Sequence, residues 1–188
     1  FMFVLTTVLI SLGVGLIEPF RNLFFKEHLK LSSMVVGLIL SGSQIITFIG
    51  TLLIPYFVKR LGEVLTLSFF RWLSIPFLFG VALIPNLYLV IISFFFADSL
   101  RTMVSPAFDS FLMESFPKKL RARVASLAAI PSGMSHSFSW ALASAIGGRI
   151  ILRFGYPIAY LFASPFYFLA TSLYFFYFRR FEKVNYSG

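Results

Sequence analysis

Asp98 and Arg101 stand three residues apart in the apolar run LYLVIISFFFADSLRTMV. Glu18 and Arg21 repeat that spacing in VLISLGVGLIEPFRNLFF. Side chains at i and i+3 are neighbours on a helix. Each pair therefore reads either as an internal ion pair or as two groups that hold a polar solute. Asp109 differs: Ser105, Pro106, Leu112 and Met113 occupy the positions three and four residues away. A carboxylate with no charge partner on its own helix is a candidate proton carrier, or the partner of an arginine from an absent half of the protein. His136 reads as a proton carrier or as a ring bonded to a neighbouring serine such as Ser132. Gln44 suits a helix–helix hydrogen bond or a solute contact, and Asn22 lies one residue from Arg21.

These groups need elements to position them, and composition says in which solvent. The chain has 188 residues, 59% hydrophobic and 12% charged. Soluble domains carry about 45–50% apolar and about 25% charged residues, so lipid is the expected solvent. The net charge of +9 does not point to nucleic acid, because the basic residues sit between long apolar runs with no soluble fold to display them. There is no cysteine, so no disulfide framework, thiolate metal site or cysteine nucleophile. Neither H-E-x-x-H nor a paired metal-ligand pattern occurs, and no cofactor is implied. The G-x-S-x-G elbow is absent. Ser132 and His136 would be the only hydrolytic pair, with no third group to orient the ring, so an enzyme is not expected.

A spanning helix needs about 20 mostly apolar residues. Six segments qualify, at about 1–25, 34–58, 64–84, 87–116, 123–152 and 157–178, with a short tail over 179–188. Ser32 or Ser33 caps the second, and Pro85-Asn86 ends the third. Pro19, Pro76, Pro106, Pro131 and Pro165 fall inside segments, and those at 106 and 131 are candidate hinges. The fold class is thus an all-α membrane protein of six helices. The run begins inside an apolar segment with no basic leader, which reads as a chain cut from a longer one.

Charge sets the orientation. Lys59, Arg60, Lys118, Lys119, Arg121, Arg123, Arg179, Arg180 and Lys183 fall on one side. Lys26, Lys30, Arg149 and Arg153 fall on the other. Nine against four places both termini in the cytoplasm, in an integral protein of the plasma membrane. Arg71 lies near the cytoplasmic side of the third segment. At 100° per residue, Thr7, Ser11, Glu18 and Asn22 form a narrow stripe, with Arg21 beside it. Asp98, Arg101, Ser105 and Asp109 form one face of the fourth segment. Ser132, His136 and Ser139 share a face of the fifth, and Gly37, Ser41, Gln44 and Thr51 share one of the second. Four polar stripes converging on one space would make a path through the membrane.

Three stretches carry a resemblance. ESFPKKLRAR resembles an acid-x-x-Pro-x-x-x-Arg turn, with Glu114, Pro117 and Arg121. PYFVKRLGEVLTL is similar to a G-x-L-x-D-R-x-G-R loop: Arg60 and Gly62 match, while Pro55, Lys59 and Glu63 replace the leading Gly, the Asp and the final Arg. SAIGGRIILRFGYPIAYLF resembles the small-residue end of a fifth or eleventh helix. Together they resemble one half of a major facilitator superfamily transporter. The missing Asp and the shape of the tail favour the C-terminal half, helices 7 to 12. The resemblance implies a half bundle with a 3+3 inverted repeat, in which the first and fourth helices line a cavity and the third and sixth lie outside. It implies secondary active transport of a small solute by alternating access. Glu18, Arg21, Asn22, Gln44, Asp98, Arg101, Asp109 and His136 are then pathway candidates, with a proton as one coupling ion. Arg60, Gly62, Glu114 and Arg121 are candidates for a cytoplasmic latch, against the simpler reading of the basic loop as a topology signal or a contact to anionic lipid. The expected partners are the bilayer, the solute, and either an absent N-terminal half or a second copy. A half-transporter working as a homodimer and a non-transporting scaffold or receptor remain the alternatives.

Overall fold

Helix accounts for all the regular structure that the computed structural model describes, over residues 2–114 and 134–185, with side chains over 2–111 and 136–180. Helix α1 runs Met2–His28, α2 Ser33–Leu61, α3 Glu63–Leu83, α4 Leu87–Thr102, α5 Ser105–Glu114, α6 Met134–Phe154 and α7 Tyr156–Asn185. Met2–His28, Ser33–Leu61, Glu63–Leu83, Leu87–Phe111 and Tyr156–Arg180 are long and apolar enough to cross a membrane. The 21 residues of α6 match the length a bilayer core requires. The KKLRAR loop, the start of the fifth segment and the side chain of Glu114 lie outside the described residues, so the Glu114–Arg121 latch does too. The last helix runs on through Arg179 to Asn185, where a tail was expected.

Proline and glycine shape the helices. Alpha-helical turns of α1 run to Ile17, give way to a 3₁₀ turn at Glu18–Phe20 that holds Pro19, resume over Arg21–Leu23 and close in a π turn at Phe24–His28. The fourth segment, expected to be one helix, is broken between Thr102 and Ser105. Pro106 has no N–H for the carbonyl four residues back, and its ring crowds that carbonyl, which belongs to Thr102. Gly62 alone joins α2 to α3 at φ +85°, and Gly155 alone joins α6 to α7 at φ +86°. Side chains with a Cβ rarely adopt that backbone. Ser32 caps α2 through Val35 N–H, and Asn86 Oδ1 accepts from the amides of Tyr88 and Leu89 at the start of α4.

Helix α1 packs between α6 and α7, and α3 packs between α4 and α7. The α1–α6 contact is backbone against backbone. A Cβ on Gly15 would stand 2.5 Å from the Trp140 carbonyl oxygen, and one on Gly147 would stand 2.6 Å from that of Leu16. Two apolar clusters hold the bundle. One joins Leu16, Phe24, Phe25, Phe94, Ala97 and Tyr160. The other joins Phe3, Val64, Leu67, Val104, Phe108 and Tyr174. Each of α1, α2, α3, α4 and α7 also buries polar groups, among them Thr7 and Ser11, Ser43 and Thr47, Arg71 and Ser74, Asp98 and Ser99, Ser164 and Thr171.

Candidate functional site

Asp98 is the centre of a charged cluster. It sits on the last turns of α4 and is 4% exposed. Its carboxylate accepts from Arg101 Nη2 at 2.9 Å, from Ser43 Oγ at 2.6 Å, and from Arg21 Nη1 at 3.4 and 3.5 Å. A buried carboxylate is tolerated when paired and fully hydrogen-bonded; two guanidinium groups and a hydroxyl meet that need. Arg101 also donates through Nη1 to the Tyr167 hydroxyl, and its guanidinium lies 5.2 Å from the centre of that ring. Ser99 Oγ donates to the Ser43 carbonyl at 3.2 Å, tying α4 to α2. Glu18, Arg21, Asp98, Arg101, Phe94 and Tyr160 line a cavity of about 20 Å³, room for about one water.

Three expectations meet this geometry differently. Asp98 and Arg101 pair along their helix. Arg21 turns away from Glu18 to pair with Asp98 on α4; the 3₁₀ turn at Pro19 replaces the regular helix that an i,i+3 pair assumes. Asn22 and Gln44 are exposed and outside this cluster.

A second pocket, of about 100 Å³, lies further along the bundle. Thr7 and Ile10 of α1, Arg71 of α3, Ser105, Phe108 and Asp109 of α5, and His136 of α6 line it. Thr7 and Glu18 are eleven residues apart, so the two pockets are offset by roughly 16 Å along α1. Ser11 Oγ is 2.5 Å from His136 Nδ1 and 2.7 Å from the Thr7 carbonyl. The ring is thus held by a serine of another helix, and Ser132, which shares its face in the sequence reading, lies outside the described residues. The stripe Thr7, Ser11, Glu18 touches both pockets, and so does the face Asp98, Arg101, Ser105, Asp109. Of the latch candidates, Gly62 is the α2–α3 joint, and Arg60 lies exposed with its guanidinium 4.9 Å from the Tyr56 ring centre.

The sixth segment, expected outside the cavity, supplies Tyr160 and Tyr167, and the third supplies Arg71. Two tyrosines cannot be picked out of a chain with 26 Phe and 8 Tyr. Arg71 had a signal: an arginine within an apolar run is costly unless it serves or pairs. Ser43 and Ser99 gave none, because small hydroxyls are common between membrane helices.

The sequence model of the Major Facilitator Superfamily matches residues 3–186. That match spans nearly the whole chain, which therefore belongs to the superfamily: an integral membrane protein of the transporter class, folded as a six-helix half bundle. No curated protein matches the chain.

Proposed function

We propose that the chain is the C-terminal half, helices 7 to 12, of a secondary active transporter that moves a small solute by alternating access. The observation that carries this is the charged cluster of Asp98, Arg21 and Arg101 inside an apolar helix bundle, with the Asp98 carboxylate buried. Buried charge in a membrane helix bundle is expensive and marks solute or ion paths by default. Transporter sites typically lie near the bilayer midplane on interrupted helices, and both α1 and the α4–α5 pair are interrupted beside the two pockets. The degenerate loop at Pro55–Glu63 supports the C-terminal assignment. The nine-to-four charge split supports cytoplasmic termini, and a place in the plasma membrane is part of the same proposal. Asp109, beside Arg71 and His136, is the candidate for proton coupling.

The test is uptake of a panel of labelled small solutes into proteoliposomes that hold the whole protein. At least one solute should enter saturably and in response to an ion gradient. Asp98→Asn should cut that uptake by about tenfold or more, since it weakens both charge-assisted pairs, and Asp109→Asn should lower uptake or remove its proton dependence. Folded protein that takes up nothing would favour a scaffold or receptor; normal uptake by Asp109→Asn would remove that residue from the mechanism.

A further inference from the structure

Two buried polar groups at the Arg71 pocket have no hydrogen-bond partner among the described residues. Arg71 is 6% exposed, and its Nη1 has no hydrogen-bond partner among the described residues. Its guanidinium carbon lies 4.5 Å from the Phe108 ring centre, a contact that steadies the cation but fills no hydrogen bond. Thr7, on α1, is 7% exposed, and its Oγ1 is likewise without a partner. Leaving a buried polar group unpaired costs about 1–3 kcal/mol, and more when it is charged. Both groups border the same cavity of about 100 Å³. Asp109 borders the same pocket and attracts Arg71 electrostatically, yet among the described residues the two form no hydrogen bond or close ion pair. The cavity is larger than one water needs, and Ile10 and Phe108 supply apolar walls.

We infer that this pocket is an oxyanion site: Arg71 and Thr7 bind the carboxylate or phosphate of a small molecule. A guanidinium fork and a hydroxyl are the groups that recognise such oxygens. His136 borders the same space, with Nδ1 engaged by Ser11 and Nε2 as its remaining polar atom. Asp109 opposes the ligand's charge and so sets its affinity. The site stands on geometry alone; that its ligand is the transported solute rests on the transport reading.

The experiment is thermal unfolding of the whole purified protein against sodium acetate and sodium phosphate, each at constant ionic strength in sodium chloride. At least one anion should raise the melting temperature saturably. Arg71→Gln should abolish the response. Asp109→Asn should move half-saturation about tenfold lower by removing a like charge, and Thr7→Val should move it several-fold higher. An acetate response identifies a carboxylate ligand. A phosphate response that disappears in phosphatidylglycerol bicelles identifies a lipid headgroup as the competing source of the same chemistry. No saturable response to either anion overturns the site, as does an unchanged midpoint in Arg71→Gln. Should that variant fail to fold, unchanged midpoints in both Thr7→Val and Asp109→Asn overturn it equally. Asp98→Asn, in the other cluster, keeps the anion response while losing uptake; binding without uptake in the wild type would sink the transport reading and leave the site intact.

Discussion

Asp98 is held by donors from three directions, and this makes the next contact out informative. Arg101 spans Asp98 and the Tyr167 hydroxyl, so one guanidinium joins α4 to α7. Tyr167 also packs its ring where a Cβ on Gly13 would lie 3.1 Å away. Tyr167→Phe keeps the ring and removes only the acceptor. A lost hydrogen bond of this kind costs about 1–3 kcal/mol, so the variant should fold, melt a few degrees lower, and lose uptake several-fold because Arg101 is freed to rotate. Uptake equal to wild type would show that Asp98 alone fixes Arg101. The charged half of this cluster was legible in the sequence: Asp98, Arg101 and Arg21 are conspicuous because apolar runs rarely admit charge. Their partners were not. Which of several serines or tyrosines meets a given arginine depends on helix rotation and crossing, and no local pattern encodes either.

At the scale of elements, five of the six segments could be read from hydropathy, because a bilayer forces length and apolarity on any helix that crosses it. Where helices stop being regular was harder to read. Pro19 and Pro106 coincide with interruptions, but Pro55, Pro76 and Pro165 sit inside continuous helices. Sequence alone does not separate the two outcomes, since neighbouring helices can satisfy the freed carbonyl. The joints follow an order that supports a 3+3 repeat: one left-handed glycine links the second helix to the third, and another links the fifth to the sixth. The close α1–α6 contact gives a sharp test. Gly147→Ala brings a methyl to 2.6 Å from the Leu16 carbonyl oxygen, whereas a Cβ on Gly37 meets nothing within 4 Å. Overpacking of a tight contact costs about 1–3 kcal/mol, so Gly147→Ala should melt several degrees below wild type. Gly37→Ala should match or exceed wild type, because alanine is the better helix former. Equal melting of the two variants would mean that α1 and α6 separate freely.

The whole molecule leaves one face of α2 uncovered. Leu38, Ile45, Phe48, Leu52 and Tyr56 are exposed, which lipid could cover. Ser41 and Gln44 are also exposed, on the same length of helix. In hydrocarbon an amide without a partner is costly, and membrane helices place such groups at helix–helix contacts. A protein surface, rather than lipid alone, therefore suits this face, and the proposed N-terminal half is its natural occupant. The chain has no cysteine, so a single Gln44→Cys change in an otherwise cysteine-free version of the whole protein gives a clean probe. With the other half supplied by the same polypeptide, a thiol-specific bifunctional reagent should yield no covalent dimer from native membranes. A second cysteine on the facing half should then join the two halves, detectable after cleavage of the linker between them. Efficient dimer formation from the single-cysteine protein would instead place two copies of this face together. The homodimer would then replace the two-halves arrangement, and the Asp98 cluster would occur twice around one path.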